Sequence, residues 1–161
     1  MNRHPHNPIT QQHKDDYQRD GVVCLRQMFD KEWIDLLREG AEQVIADPQA
    51  WGLTGPSHGA MSSVAHIWRH EGPFRDFVMN SPVGEVIGRT IGADTIQMFH
   101  DHLFHKPPHS PSIMQWHADH YWPFTGTMIP NIWIALSPVN KENGRIEFVA
   151  GYHRYCMETG S

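Results

Sequence analysis

The chain has 161 residues and only two cysteines, Cys24 and Cys156, far apart and in no C-x-x-C pairing. So little cysteine gives no support to a disulfide or zinc framework and leaves two ordinary reduced thiols. Positive charge is also short: Lys and Arg total 13 against 18 Asp and Glu, a net charge of -5, and no basic stripe gathers anywhere. Nucleic acid and anionic membrane surfaces are therefore poor partners. No window holds the unbroken apolar run of a membrane span, and the opening Met1-Asn-Arg-His-Pro-His carries no apolar signal core. The expectation is a cytoplasmic protein that takes a small-molecule substrate, with no nucleic acid and no membrane as partner. Internal repeats, a P-loop, G-x-G-x-x-G and G-x-S-x-G are absent as well, which removes the usual phosphate cradles and the hydrolase nucleophile elbow.

Hydrophobic residues make up 39% and aromatics 11%, enough for a globular core, and the length suits one domain rather than two. Residues 1–9, with their Pro and His, read as a flexible N-terminal tail. Thr10 opens a short polar helix to about Arg19, closed by Asp20-Gly21, and Val22-Val23-Cys24-Leu25 reads as a buried strand. Asp30 is a good N-cap for the strongest helix of the chain. There Phe29 is placed to staple against Ile34, and Trp33, Leu36, Leu37, Ala41, Val44 and Ile45 fall at helical spacing. From Ala50 to Gly72 the pattern dissolves into a long loop, read as a wall or lid over a site, in which His58, His66 and His70 count as exposed loop histidines. Helical signals return at Phe74 to Met79, and again from Ser81-Pro82 to Gly92.

Beyond Gly92 the period turns strand-like. Thr95 to Lys106 alternates, Trp116 to Trp122 is extended, and Ile132 to Leu136 and Ile146 to Val149 are apolar runs joined through an Asn143-Gly144 hairpin turn. Helices outside a strand-rich second half suggest an α+β protein on an antiparallel roll.

The stretch with the most chemistry is Gln115-Trp116-His117-Ala118-Asp119-His120-Tyr121-Trp122. In an extended chain residues two apart share a face, so His117 and Asp119 point together while Ala118 points away. An imidazole nitrogen and a carboxylate oxygen so placed supply two corners of the two-His, one-carboxylate triad that holds ferrous iron with open positions. An isolated H-x-D triplet is weak, because a chain with 13 His produces one easily by chance.

Five blocks in order carry more. Y-Q-R-D-G-V-V (Tyr17 to Val23), H-K-P-P (His105 to Pro108), Q-W-H-A-D-H-Y-W-P (Gln115 to Pro123), N-I-W-I-A-L (Asn131 to Leu136) and N-G-R-I-E-F-V-A-G-Y-H-R (Asn143 to Arg154) together resemble the phytanoyl-CoA dioxygenase family. The resemblance implies an iron(II)- and 2-oxoglutarate-dependent dioxygenase on a double-stranded β-helix, a jelly-roll or cupin-like barrel with helices packed outside. By matching positions it makes His117 and Asp119 the first two iron ligands. It sets Lys106 against a 2-oxoglutarate carboxylate and Trp133 in the cosubstrate pocket. It leaves Tyr121 and Trp122 as substrate-facing residues, although this chain has only His120 between the Asp and the Tyr-Trp-Pro, one residue fewer than many relatives. A carboxylate at Asp119 favours hydroxylation over halogenation, and His153 matches a structural histidine rather than a third ligand. His100, His102, Phe104 and Phe124 join the aromatic and imidazole residues expected near the site.

The family's distal His ligand and its 2-oxoglutarate-binding Arg lie on later strands. The expectation is therefore a domain over 10–161 that stops short of those strands, with unpaired strand edges and little or no turnover on its own. Two other readings compete: a non-catalytic cupin-like module that binds metal or a small molecule, and a different cupin-type metalloenzyme in which Lys106 and Trp133 are structural.

Overall fold

The computed structural model describes residues 1–51, 61–119 and 129–159. Helix α1 spans Gln11–Asp20. Thr10 caps it by accepting from the His13 amide at 3.2 Å, and His13 Nδ1 accepts in return from the Thr10 amide at 3.2 Å. This is a capping box with imidazole in the usual Glu position. Gly21 ends the helix in the left-handed region at φ 77°, its amide donating to the Tyr17 carbonyl at 2.8 Å.

Helix α2 spans Lys31–Ala46, with Asp30 at the N-cap position as expected. Its carboxylate does not cap the helix: it pairs instead with the Met1 amino group at 3.2 Å and with His6. The first residues are bound along this end of α2. Asn2 donates to the Met28 carbonyl at 2.9 Å, accepts from the Asp30 amide at 2.9 Å, and offers its own carbonyl to the Trp33 indole at 2.9 Å. Within α2, Trp33, Leu37, Ala41 and Val44 are buried as the helical spacing required, whereas Ile45 at the stripe's edge is exposed.

Strand β1, Ser62–Ala65, pairs antiparallel with β2, His102–His105, in the register Ser62 to His105 and Ala65 to His102. Helix α3 spans Pro73–Asn80 and α4 spans Val83–Ile91, the latter stopped by Gly92 in the left-handed region. The core joins α2, α3 and the inner face of the sheet through Trp33, Leu37, Val44, Val64, Ile67, Phe74, Phe77 and Leu103. Gly40 is what lets α3 approach: a Cβ there would sit 2.8 Å from Pro73 Cβ and 2.9 Å from Phe74 Cε2.

Several expectations are corrected. Val22 to Leu25 is not a buried strand: no ladder forms there, Cys24 is exposed and its neighbours only half-buried. The span from 50 to 72 is not one long loop, since its described part contains β1 and a 3-10 turn at Ile67–Arg69. Of Thr95 to Lys106 only the four residues of β2 are paired. Ile132 to Leu136 and Ile146 to Val149 form no strands, and the chain after Gly151 is a helix, α5, Tyr152–Thr159. The jelly-roll is thus not seen; among the described residues the architecture is helices on a two-stranded antiparallel sheet. The physical reason is that an apolar run becomes a strand only beside a partner that takes its amides and carbonyls. Neither run has one among the described residues. The second run leaves Ile146, Phe148 and Val149 exposed, while the first leans Ile134 and Leu136 on the core, held by Arg38 donating to the Leu136 carbonyl at 2.9 Å.

No helix among the described residues is long and apolar enough to cross a membrane.

Candidate active site

His117 and Asp119 lie in the irregular segment after β2, and their side chains converge as the two-residue spacing required. His117 Nε2 and Asp119 Oδ1 stand 3.8 Å apart, beyond an ordinary hydrogen bond. Two donors that share one ion lie no further apart than twice a metal–ligand bond, about 4 Å, so the pair is within reach of a common ion. Each side chain is also oriented from behind. His117 Nδ1 lies 2.8 Å from the Gln115 carbonyl, an acceptor, which makes Nδ1 the protonated nitrogen and turns the Nε2 lone pair toward Asp119. The other Asp119 oxygen, Oδ2, accepts from the Asn131 amide nitrogen at 3.0 Å. The donor set therefore suits a first-row divalent metal such as ferrous iron. Both side chains are open to solvent, and among the described residues no group of three His, Cys, Asp or Glu side chains surrounds one point.

Lys106 follows β2 and is exposed, with its aliphatic stem running past Gly144: a Cβ on that glycine would lie 3.7 Å from Lys106 Cδ. Trp133, two residues beyond Asn131, is 44% exposed. Tyr121, Trp122 and Phe124, like His58 and His120, lie outside the described residues.

The sheet contributes a face that is not core. Val64 and Leu103, directly opposed, point inward and are buried; the pairs Ser63 with Phe104 and Ala65 with His102 therefore point outward together. The same parity runs through His100, His102, Phe104 and Lys106. Ring contacts join His100 to His102 at 5.6 Å and His102 to Phe104 at 4.7 Å.

His66 belongs with this face, and its reading as an exposed loop histidine is corrected. It sits just past β1 at φ 63°, a left-handed backbone that is costly for a side-chain-bearing residue. Its ring lies 5.5 Å from that of His100 and 6.4 Å from that of Phe99, and its Nδ1 is buried with no hydrogen-bond partner. Asp101 holds the turn at both ends: its carbonyl accepts from the His66 amide at 3.0 Å and its Oδ2 accepts from the Trp68 amide at 3.0 Å. Burial pushes the Asp101 carboxyl up, against the backbone amides that favour its charge.

His100 and His102 are both held below the ordinary histidine range, first by burial and then by neighbouring imidazoles. Asp101 and then Asp119 pull His100 the other way, and Asp119 does so at His102. Near neutral pH the rings are thus neutral, each able to donate from one nitrogen and accept at the other. His66 was missed because its role depends on a left-handed backbone and on partners more than thirty residues away; no local spacing signals either.

The G-Y-H-R block serves the fold. His153 Nε2 lies 3.2 Å from the Gln18 carbonyl and the Gly151 amide donates to the Asp20 carbonyl at 2.8 Å, docking the start of α5 on the end of α1.

The family model for phytanoyl-CoA dioxygenase (PhyH) matches residues 17–159 of the chain. Neither a curated protein nor a solved structure matches it.

Proposed function

The chain belongs to the phytanoyl-CoA dioxygenase family, and from that premise we propose that it is an iron(II)- and 2-oxoglutarate-dependent dioxygenase that hydroxylates a small organic substrate. The observation that carries the reading is the convergence of His117 Nε2 and Asp119 Oδ1, each oriented by a second group. Bound ferrous iron, with 2-oxoglutarate and dioxygen as co-reactants, would supply the oxidising power for C–H hydroxylation, 2-oxoglutarate being converted to succinate and carbon dioxide. The protein's own part is positional. His117 and Asp119 would donate to the metal, and Asn131 and the Gln115 carbonyl keep those donors aimed. Lys106 offers a cation to a carboxylate of the dianionic cosubstrate. Trp133 gives that pocket an aromatic wall.

The test uses manganese as the metal probe and measures metal and 2-oxoglutarate binding separately. Lys106→Ala is expected to lose 2-oxoglutarate binding at least tenfold while keeping manganese, and Asp119→Ala is expected to lose both. Manganese binding without any 2-oxoglutarate binding in the unaltered protein would instead favour a metal-binding module. Unchanged cosubstrate affinity in Lys106→Ala would favour a different cupin-type enzyme.

A further inference from the structure

We propose that the outward face of the two-stranded sheet is the substrate floor, and that His66, His100 and His102 select a small molecule bearing a hydroxyl or carbonyl group over a saturated hydrocarbon. The assignment of the bound molecule as substrate rests on the oxygenase reading; the chemistry of the face rests on its own residues.

The face is built, and its construction is specific. Ser63 and Ala65 are small, exposed and directly opposite Phe104 and His102, so they leave open space beside the rings. His100, His102 and Phe104 rise on one side of that space in strand parity, and Lys106 continues the row. His66 closes the far end, its ring brought to His100 by the left-handed backbone that Asp101 pins from both sides. A ligand hydroxyl or carbonyl finds its hydrogen-bond partner on the imidazole row, where His102 is exposed and His100 half-buried, and a hydrocarbon does not use it; the His66 Nδ1 is itself closed to solvent, so that ring acts through its contact with His100. Phe99 and Phe104, both exposed, provide apolar contact for the rest of a small molecule. No cation other than Lys106 is on this row, and the neutral rings do not demand an anionic ligand.

Three probes of nearly one shape separate the alternatives: acetophenone, 1-phenylethanol and ethylbenzene, titrated into the full chain while the ring signals of His66, His100 and His102 are followed by NMR. The two oxygen-bearing probes are expected to shift all three signals and to bind at least about fivefold more tightly than ethylbenzene, since one neutral hydrogen bond is worth about 1 kcal/mol. His100→Phe with His102→Phe is expected to reverse that order, and His100→Gln with His102→Gln, which keeps hydrogen-bonding groups, to preserve it. Equal or tighter binding of ethylbenzene, or unmoved ring signals with the polar probes, overturns the proposal in the unaltered protein, whether or not the variants fold. Manganese and 2-oxoglutarate binding, measured on the same samples, keeps the two readings apart. Its absence alongside responsive rings counts against the oxygenase and for the polar floor, and its presence alongside silent rings does the opposite.

Discussion

The part of the chain up to Leu103 and the part beyond it contain similar apolar runs and use them differently. Every buried residue among those described lies between Met28 and Leu103; beyond Leu103 none does. Before that point each apolar stripe meets another: α2 meets α3 across Gly40, and Val64 meets Leu103 in the sheet. After it, Ile113, Trp116, Phe148 and Val149 are exposed, and the chain is held by scattered polar contacts such as Arg38 to Leu136 and Asn131 to Asp119. The two parts teach different things about the site. The proposed metal donors stand in the loosely held part, where position is set by a few hydrogen bonds. The imidazole floor stands on the packed part, where it is set by the core beneath.

Paired tryptophans give the largest expected contrast. Trp33 is 3% exposed and packs edge-on to Phe77 at 5.6 Å, while Trp133 is 44% exposed. Trp33→Ala is expected to lower unfolding stability by about 3–5 kcal/mol in urea titrations, the range for deleting a buried large aromatic. Trp133→Ala is expected to change it by less than about 1 kcal/mol. A comparable loss for both would erase the contrast and show that the later segment carries packing energy of its own.

The junction of the two parts breaks next. Gly21 holds φ 77°, and a Cβ there would collide with the His153 ring at Nδ1, so the α5 segment docks on α1 only because that residue is glycine. Gly21→Ala is expected to cost about 1–2 kcal/mol for the backbone alone, with more from the displaced imidazole. Proteolysis should then cut residues 145–155 faster while leaving the packed part intact. Uniformly faster cleavage would mean the two parts unfold together.

What the sequence made legible follows the same boundary in a different way. Local rules worked wherever a few neighbouring residues decide the structure: Thr10, Gly21 and Gly92 mark their helix ends, and the i, i+2 spacing brings His117 and Asp119 together. Rules that need a distant partner failed. Val22 to Leu25 and Ile146 to Val149 are apolar enough for strands, yet strand formation requires a neighbouring ladder that their own composition does not specify. The reverse error occurred at Ser62–Ala65, a real strand whose only inward apolar residue is Val64, too short a pattern to stand out from a loop. The juxtaposition of His117 and Asp119 is therefore legible in eight residues, whereas the ring cluster on the sheet is legible only in part, through His100, His102 and Phe104.

The smallest expected effect is also the one that reports on the floor without any ligand. His100 and His102 sit below the usual histidine range because burial, and then the neighbouring imidazoles, disfavour their charged forms, with Asp119 opposing both and Asp101 also opposing at His100. The unfolded chain takes up these protons near the ordinary value of about 6.5, before the folded chain does. Their contribution to stability is thus fully present above that pH and is lost as the pH falls through it toward the depressed folded values. Stability measured between pH 7.5 and 5 should therefore decline more steeply in the unaltered protein than in His100→Asn with His102→Asn. The half-buried Asp101 carboxyl gives the opposite slope, since a raised folded value favours the fold at acid pH, and it is common to both proteins. The difference between the two curves isolates the histidines. Parallel curves would mean that the rings are solvated like ordinary surface histidines and that the sheet's outer face is no more organised than the segments beyond it.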